Sequence, residues 1–256
     1  QALERIRAAA ELDLWESDDP PPYADLSERV RGVDGLFCTL NDRIDAPLMD
    51  AAGAQIKVIS IMAVGYDNIN VNAAERGIAI GYTPGILTEA TADLAFTLLL
   101  AAARRIPESM AYIREKRWTT WKPLDLLGRD LNGATLGIIG FGRIGQAVAR
   151  RAQAFGMKIL AYSRSLTAEQ AAAHGAKRAD LPDLLTRADF VSIHTPLNDT
   201  TRRLINADTL RLMKHDAIFI NTARGGVVDQ RALYEALRDG VIGGAALDVT
   251  DPEPIP

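Results

Sequence analysis

Residues 136–145 read Leu-Gly-Ile-Ile-Gly-Phe-Gly-Arg-Ile-Gly, an apolar run that passes directly into Gly140-x-Gly142-x-x-Gly145. The run predicts a buried strand. Behind the glycines, Ile144, Val148 and Ala152 recur at helical spacing and predict a helix packed on it. Gly140 permits the tight turn, Gly142 lets the backbone approach a pyrophosphate, and Gly145 lets the helix close on the strand. The free N–H groups and the positive dipole end of that helix then face the phosphate. A second strand is predicted at 158–163, so a full strand–helix–strand unit is present and the glycines read as a dinucleotide site. Gly140, Phe141, Gly142, Arg143, Ile144 and Gly145 are the residues expected to line it.

The same alternation runs through the rest of the chain. Short runs rich in Val, Ile and Phe predict strands at 35–38, 57–61 and 78–81, then at 136–140, 158–163, 190–194, 217–221 and 245–249. Helix-length segments such as 147–155, 207–213 and 230–239 lie between them. Strands alternating with helices predict an α/β chain built on parallel sheets. The strands fall into two groups, so the expectation is two Rossmann-like domains with a cleft between them. A long helix separates the groups. Thr88 can cap it, Glu89 and Asp93 suit its early turns, and Arg104 and Arg105 end it before Pro107. The expected division is 1–87 for a substrate-binding, flavodoxin-like domain and 88–256 for a cofactor domain. Residues 109–123 carry Trp118 and Trp121 among charges. They read either as a loop packed on its own domain or as an exposed arm, spanning 107–123, that docks on a second copy in a homodimer.

Composition narrows the partners. The chain has 256 residues, 48% of them hydrophobic, and a net charge of −4. A general binder of nucleic-acid phosphates would be basic, so nucleic acid is not expected as a partner. Cys38 is the only cysteine, which excludes an internal disulfide and fits a reducing, cytoplasmic setting. No metal site is expected. The longest apolar block, 94–103, is far short of the roughly 20 residues that span a bilayer, so no membrane partner is expected either. The first residues are charged and amphipathic rather than signal-like, and no initiator Met precedes Gln1.

Two further strand ends carry chemistry. A site for unphosphorylated NAD usually has an acidic residue at the end of the second strand. Here stand Ser163, Arg164 and Ser165, with no carboxylate to repel a 2′-phosphate and a guanidinium able to bind it. NADP is therefore the preferred cofactor, with NAD as the second choice. Farther on, Asn221-Thr222-Ala223-Arg224-Gly225-Gly226 places an arginine at a strand's carboxyl end, aimed at the ligand crevice. A planar guanidinium suits a carboxylate beside a ketone. Glu253, in Asp251-Pro252-Glu253-Pro254, reads by itself as a loop carboxylate.

Together these stretches resemble the D-2-hydroxyacid dehydrogenase family over essentially the full chain. The likeness is carried by Val64-Gly65-Tyr66-Asp67-Asn68-Ile69, the glycine loop, His194-Thr195-Pro196-Leu197, Ala223-Arg224-Gly225 through Asp229, and Leu247-Asp248-Val249 through Pro254. The segment 83–93 most resembles the glyoxylate and hydroxypyruvate reductase branch. The resemblance implies reversible hydride transfer between NAD(P)H and a small 2-oxo acid. It implies that Arg224 binds the substrate carboxylate and polarises its carbonyl. The Val64 and Gly65 amides would hold that carboxylate, and Glu253 would pair with a catalytic histidine. Thr88, Thr222 and Asp248 fall around the nicotinamide, and His194, Thr195, Pro196 and Ala223 flank the cofactor.

The pattern is departed from in one respect that matters. The family's catalytic histidine belongs to a Pro-His-x-Gly-like segment beyond Glu253, and none of His174, His194 and His215 substitutes for it. The family's opening strand and closing helix are likewise not found, which reads as a fragment of a longer polypeptide, able to bind dinucleotide with little turnover. Ile61 and Tyr82 stand where the branch carries asparagine. These departures keep an alternative open, a dinucleotide-sensing, corepressor-like binding module without turnover.

Overall fold

The computed structural model describes residues 2–255. It divides into two compact units, Gln1–Pro84 and Gly85–Pro256. The first runs through α1 (Ala2–Arg7), α2 (Tyr23–Arg29), β1 (Gly35–Cys38), α3 (Ala46–Ala52), β2 (Val58–Ile61), a 3-10 turn at Val71–Arg76 and β3 (Ala79–Gly81). The three strands pair in parallel, in the order β1-β2-β3. Asp45 starts α3 by accepting the Leu48 N–H at 3.1 Å. Ile44, Leu48, Ile59, Ile61 and Ile69 form the core with Cys38. Burial pushes the Cys38 thiol up to about 12, so it packs as a small apolar group.

The second unit opens with α4 (Thr88–Ala103) and α5 (Ile106–Arg114). It then alternates β4 (Thr135–Ile139), α6 (Arg143–Ala154), β5 (Lys158–Tyr162), α7 (Ala168–Ala173), β6 (Lys177–Arg178), α8 (Leu181–Arg187), β7 (Phe190–Ile193), α9 (Ala207–Leu212), β8 (Ile218–Asn221), α10 (Gln230–Arg238) and β9 (Gly244–Leu247). All six strands are parallel, in the order β6-β5-β4-β7-β8-β9. The chain thus winds outward in both directions from β4 and β7, the doubly wound arrangement with its switch point between those strands. The period-two alternation of the strands feeds two cores. Leu136, Ile138, Ile159, Ala161, Phe190, Ile218 and Ile220 face α4 and α6, whereas Leu160, Val191, Ile193 and Phe219 face α8, α9 and α10. Burial on both faces is what a parallel sheet requires.

The helix at 88–103 forms as expected, but Thr88 does not cap it. Leu87 holds the N-cap position without a side-chain bond, and Thr88 is the first helical residue. Arg151 of α6 binds Asp93 at 2.5 Å and Glu89 at 3.0 Å, tying the start of α4 to the helix behind the glycine loop. Those guanidinium bonds hold the Glu89 carboxyl below its ordinary range. Arg105 adopts a left-handed conformation, with φ of 52°, and so ends α4. Pro107 then lies in the first turn of α5, where its missing N–H costs no hydrogen bond. The segment expected as a loop or arm therefore begins as a helix. The expected strand at 136–140 stops at Ile139 because Gly140 leaves extended geometry, with φ of 92°. The strand Lys177–Arg178 has no apolar run to announce it, being two polar residues at the sheet edge.

Candidate active site

Register places the predicted residues on one crest. Tyr162, Ile139, Ile193, Asn221 and Leu247 are paired across β5, β4, β7, β8 and β9. The residues that follow them are Ser163, Gly140, His194, Thr222 and Asp248. Five strand ends that are far apart in sequence thus supply one row at the carboxyl edge of the sheet, where ligands of such folds bind.

The glycine loop is shaped by close backbone approach. A Cβ at Gly145 would lie 2.2 Å from the carbonyl oxygen of Gly140, so no side chain fits there. A Cβ at Gly140 would meet the His194 carbonyl oxygen at 2.5 Å. Nothing lies within 4 Å of a Cβ at Gly142, which is the N-cap of α6 and leaves the approach to that helix open. Phe141 contributes backbone only. Its ring is buried, edge-on to His174 with centroids 6.0 Å apart. Its N–H donates to Ser163 Oγ at 2.6 Å, so the hydroxyl fixes the loop and keeps its own proton to donate. Arg143 is exposed and Ile144 half-buried, while Arg164 and Ser165 stand exposed beyond β5.

His194, Thr195 and Pro196 follow β7. The His194 N–H donates to Ile139 O at 2.7 Å, and its ring Nε2 lies 2.9 Å from the buried Ser192 hydroxyl. Burial pushes the imidazole down to about 4, so it is neutral at physiological pH.

After β8 the chain turns sharply. Asn221 is 1% exposed. Its Oδ1 accepts the Ala223 N–H and its Nδ2 donates to the Arg224 carbonyl, both at 2.9 Å. The Arg224 guanidinium donates to Ala223 O at 2.8 Å. Thr222 is buried, and its Oγ1 has no hydrogen-bond partner. An orphaned buried hydroxyl beside a guanidinium fits a ligand that brings its own polar atoms. Thr222, the open face at Gly142 and the Ser163 hydroxyl together suit a dinucleotide. Asp248 is exposed after β9, its N–H held by Asn221 O at 2.9 Å. Glu253 is exposed on the following loop.

Val64 and Gly65 belong to the other unit, half-buried after the carboxyl end of β2. The remaining histidines take ordinary places. His174 is the C-cap of α7, and His215 is exposed on the turn that enters β8, at the sheet edge opposite the crest. The buried partners Asn221 and Ser192 escape a reading of the sequence, since an Asn at a strand end looks like any turn former and a Ser within a strand shows no sign of its partner. Among the described residues no cluster of His, Cys, Asp or Glu is arranged to hold a metal, and no helix is long and apolar enough to cross a membrane.

Comparison with known proteins agrees with this geometry. The model of the D-isomer specific 2-hydroxyacid dehydrogenase, NAD binding domain, matches residues 96–256. A glyoxylate reductase of Korarchaeum cryptofilum is 49% identical over 258 residues, covering 100% of this chain and 77% of that protein. A human glyoxylate reductase/hydroxypyruvate reductase is 46% identical over 251 residues, covering 97% of this chain and 76% of that protein. The crystal structure of a glyoxylate reductase from Paecilomyes thermophila superposes with a TM-score of 0.88 at 34% identity, covering 99% of this chain and 78% of that one. None of these relatives favours the corepressor-like module. A nicotinamide-dinucleotide crest that carries an arginine turn, and relatives of this kind across the whole of this chain, establish that the chain belongs to the D-2-hydroxyacid dehydrogenase family, in its glyoxylate reductase branch.

Proposed function

We propose that the protein reduces a small 2-oxo acid, glyoxylate or hydroxypyruvate, to the 2-hydroxy acid, with NADPH preferred over NADH. The observation that carries this reading is the turn after β8, where a partly buried Arg224 stands beside the orphaned Thr222 hydroxyl on the dinucleotide crest. A bound nicotinamide supplies the hydride. Arg224 takes the substrate carboxylate by two-point contact and draws charge from the neighbouring carbonyl. Thr222 and Asp248 orient the nicotinamide end, and the glycine loop with the α6 N-terminus receives the pyrophosphate. Ser163, Arg164 and Ser165 face the 2′-phosphate with donors and positive charge. Glu253 is the carboxylate that would pair with the family's catalytic histidine, whose imidazolium would protonate the developing alkoxide. His194 is not that imidazole, being neutral and bound to Ser192.

The same reading makes the protein a cytoplasmic homodimer that docks through residues 107–123. Ile113, Trp118 and Trp121 are 58–77% exposed there, and Leu124 and Leu127 just beyond are exposed as well, more apolar surface than a monomer ordinarily leaves in one stretch. Two measurements test the proposal. Oxamate presents a carboxylate beside a carbonyl and takes no hydride. It is expected to bind the NADPH-saturated protein. Absence of oxamate binding with either dinucleotide overturns the reading. Light scattering of Trp121→Ser is expected to show a monomer where the native chain is a dimer.

A further inference from the structure

Asn221 occupies the point from which the arginine turn hangs. It is the last residue of β8 and is held in register on both sides, against Ile193 and Leu247. Its main-chain oxygen accepts the Asp248 N–H at 2.9 Å. Its side chain does two opposite things at once, accepting from Ala223 N–H and donating to Arg224 C=O, each at 2.9 Å. That pair of partners dictates the residue type. One is a donor and the other an acceptor, so the side chain must offer an acceptor and a donor from the same short planar group. An aspartate is isosteric but presents an oxygen to the Arg224 carbonyl, and an alanine leaves both main-chain groups unpaired in a buried site.

Two other bonds lie within the turn, from the Arg224 guanidinium to Ala223 O at 2.8 Å and from the Val227 N–H to Arg224 O at 3.4 Å. Thr222, next in sequence, has a buried hydroxyl with no partner, so it adds no bond of its own. Gly225, beyond the arginine, lies so close under Thr250 that a Cβ would fall 1.9 Å from its carbonyl oxygen. The backbone of Thr222, Ala223 and Arg224 is therefore set between a strand end and a tightly packed glycine, with the Asn221 amide fixing the path between them.

We propose that Asn221 is a positioning residue for 2-oxo acid binding. Its carboxamide fixes the direction in which Arg224 leaves the backbone, and its carbonyl seats Asp248. Asn221 itself touches neither substrate nor cofactor. This rests on the reading of Arg224 as the carboxylate-binding group, and the test separates the two.

The variants are Asn221→Asp, Arg224→Lys and the double variant, each titrated with NADPH alone and with oxamate on the NADPH-saturated protein. Asn221→Asp is expected to weaken oxamate about 10- to 100-fold, the scale of a buried hydrogen bond left unmade, while the NADPH Kd stays within about threefold. In the Arg224→Lys background the same change is expected to have almost no further effect, since residues that act through one another are not additive. A merely structural asparagine would lower the melting temperature and weaken both ligands together, and its effects would add to those of Arg224→Lys. That pattern overturns the proposal, as does unchanged oxamate affinity in Asn221→Asp. If the native protein binds NADPH but no oxamate, the reading of Arg224 itself falls, and the positioning role with it. Should Asn221→Asp not fold, Asn221→Ser enters the same cycle with the same expected non-additivity.

Discussion

Two loops on one sheet edge, after β4 and after β8, reach their geometry by opposite means. The first is made by leaving side chains out. Gly140 turns with φ of 92°, and Gly145 lets α6 press on the Gly140 carbonyl. What remains is backbone, with N–H groups at the start of a 12-residue helix. The second is made by putting a side chain in. Asn221 uses one donor and one acceptor of its carboxamide on two main-chain groups of the turn, and a 3-10 turn at Gly225–Val227 follows instead of a long helix. A phosphate group is met well by a field of amides and a dipole, whereas a carboxylate beside a carbonyl calls for one planar guanidinium in one orientation. On the proposed function, the difference in construction follows from the difference in ligand.

The comparison breaks most visibly at the glycines. Gly145→Ala puts a methyl group against the Gly140 carbonyl and is expected to abolish binding of both dinucleotides, with about 1–3 kcal/mol of stability lost to overpacking. Gly225→Ala puts one against Thr250, on the other loop. It is expected to remove oxamate binding while dinucleotide affinity survives. Fluorescence titration and urea denaturation of both variants decide the matter. Loss of NADPH binding in Gly225→Ala would mean that the two loops form one cooperative site.

Next in size is Arg224→Lys, which keeps the charge and loses the planar fork. Losing one charge-assisted bond corresponds to roughly 1.5–3 kcal/mol, or about 10- to 150-fold in kcat/KM for the 2-oxo acid. The dinucleotide Kd should hold. A variant in which dinucleotide binding collapses while kcat survives would place Arg224 in the cofactor site.

These two predictions also mark how far the sequence could be read. The glycine loop is legible because absence is a strong signal. Three glycines at fixed spacing between an apolar run and a helical stripe leave few alternatives, and Ser163 follows from its strand end, whereas His194, Thr222 and Asp248 are reached only through the family resemblance. The arginine is legible by its position after a strand. Its support is not, because the Asn221 contacts depend on the path of the turn and on burial, neither of which leaves a pattern in the residues. For the same reason Thr88 reads as a cap, whereas the chain enters α4 through Leu87. Segment 107–123 reads as loop because Pro107 looks like an ending. The left-handed Arg105 makes it the beginning of α5.

A smaller and more selective effect is expected beside the glycine loop. Arg164→Ala should weaken NADPH by the same roughly 1.5–3 kcal/mol and leave NADH nearly unchanged, because only NADPH carries the 2′-phosphate. Ser163→Asp with Arg164→Ala should reverse the preference, although it also disturbs the bond from Phe141 N–H to Ser163 Oγ. KM and kcat for both cofactors at one ionic strength give the answer. Equal losses for the two would remove Arg164 from 2′-phosphate recognition.

The smallest effect tests the strut between the loops. His194 directly follows β7, which has β4 and β8 on either side, and its carbonyl is the group that Gly140 packs against. Its imidazole is held neutral by burial, with its ordinary value of 6.5 moved down to about 4. Below pH 6.5 the unfolded chain takes up a proton that the folded chain refuses. Stability is therefore fully kept above pH 6.5 and falls as the pH drops toward 4. Between pH 7 and pH 5.5 the cost is about 1 kcal/mol, from roughly one proton bound over one pH unit. His194→Gln keeps a polar planar group next to Ser192 and cannot be charged, so its stability should lack that component of the acid slope. Urea denaturation of the native chain and the variant at both pH values measures the difference between slopes. If the two slopes coincide, the His194 ring is accessible to a proton in the folded protein, and the strut between the two loops is a wet one.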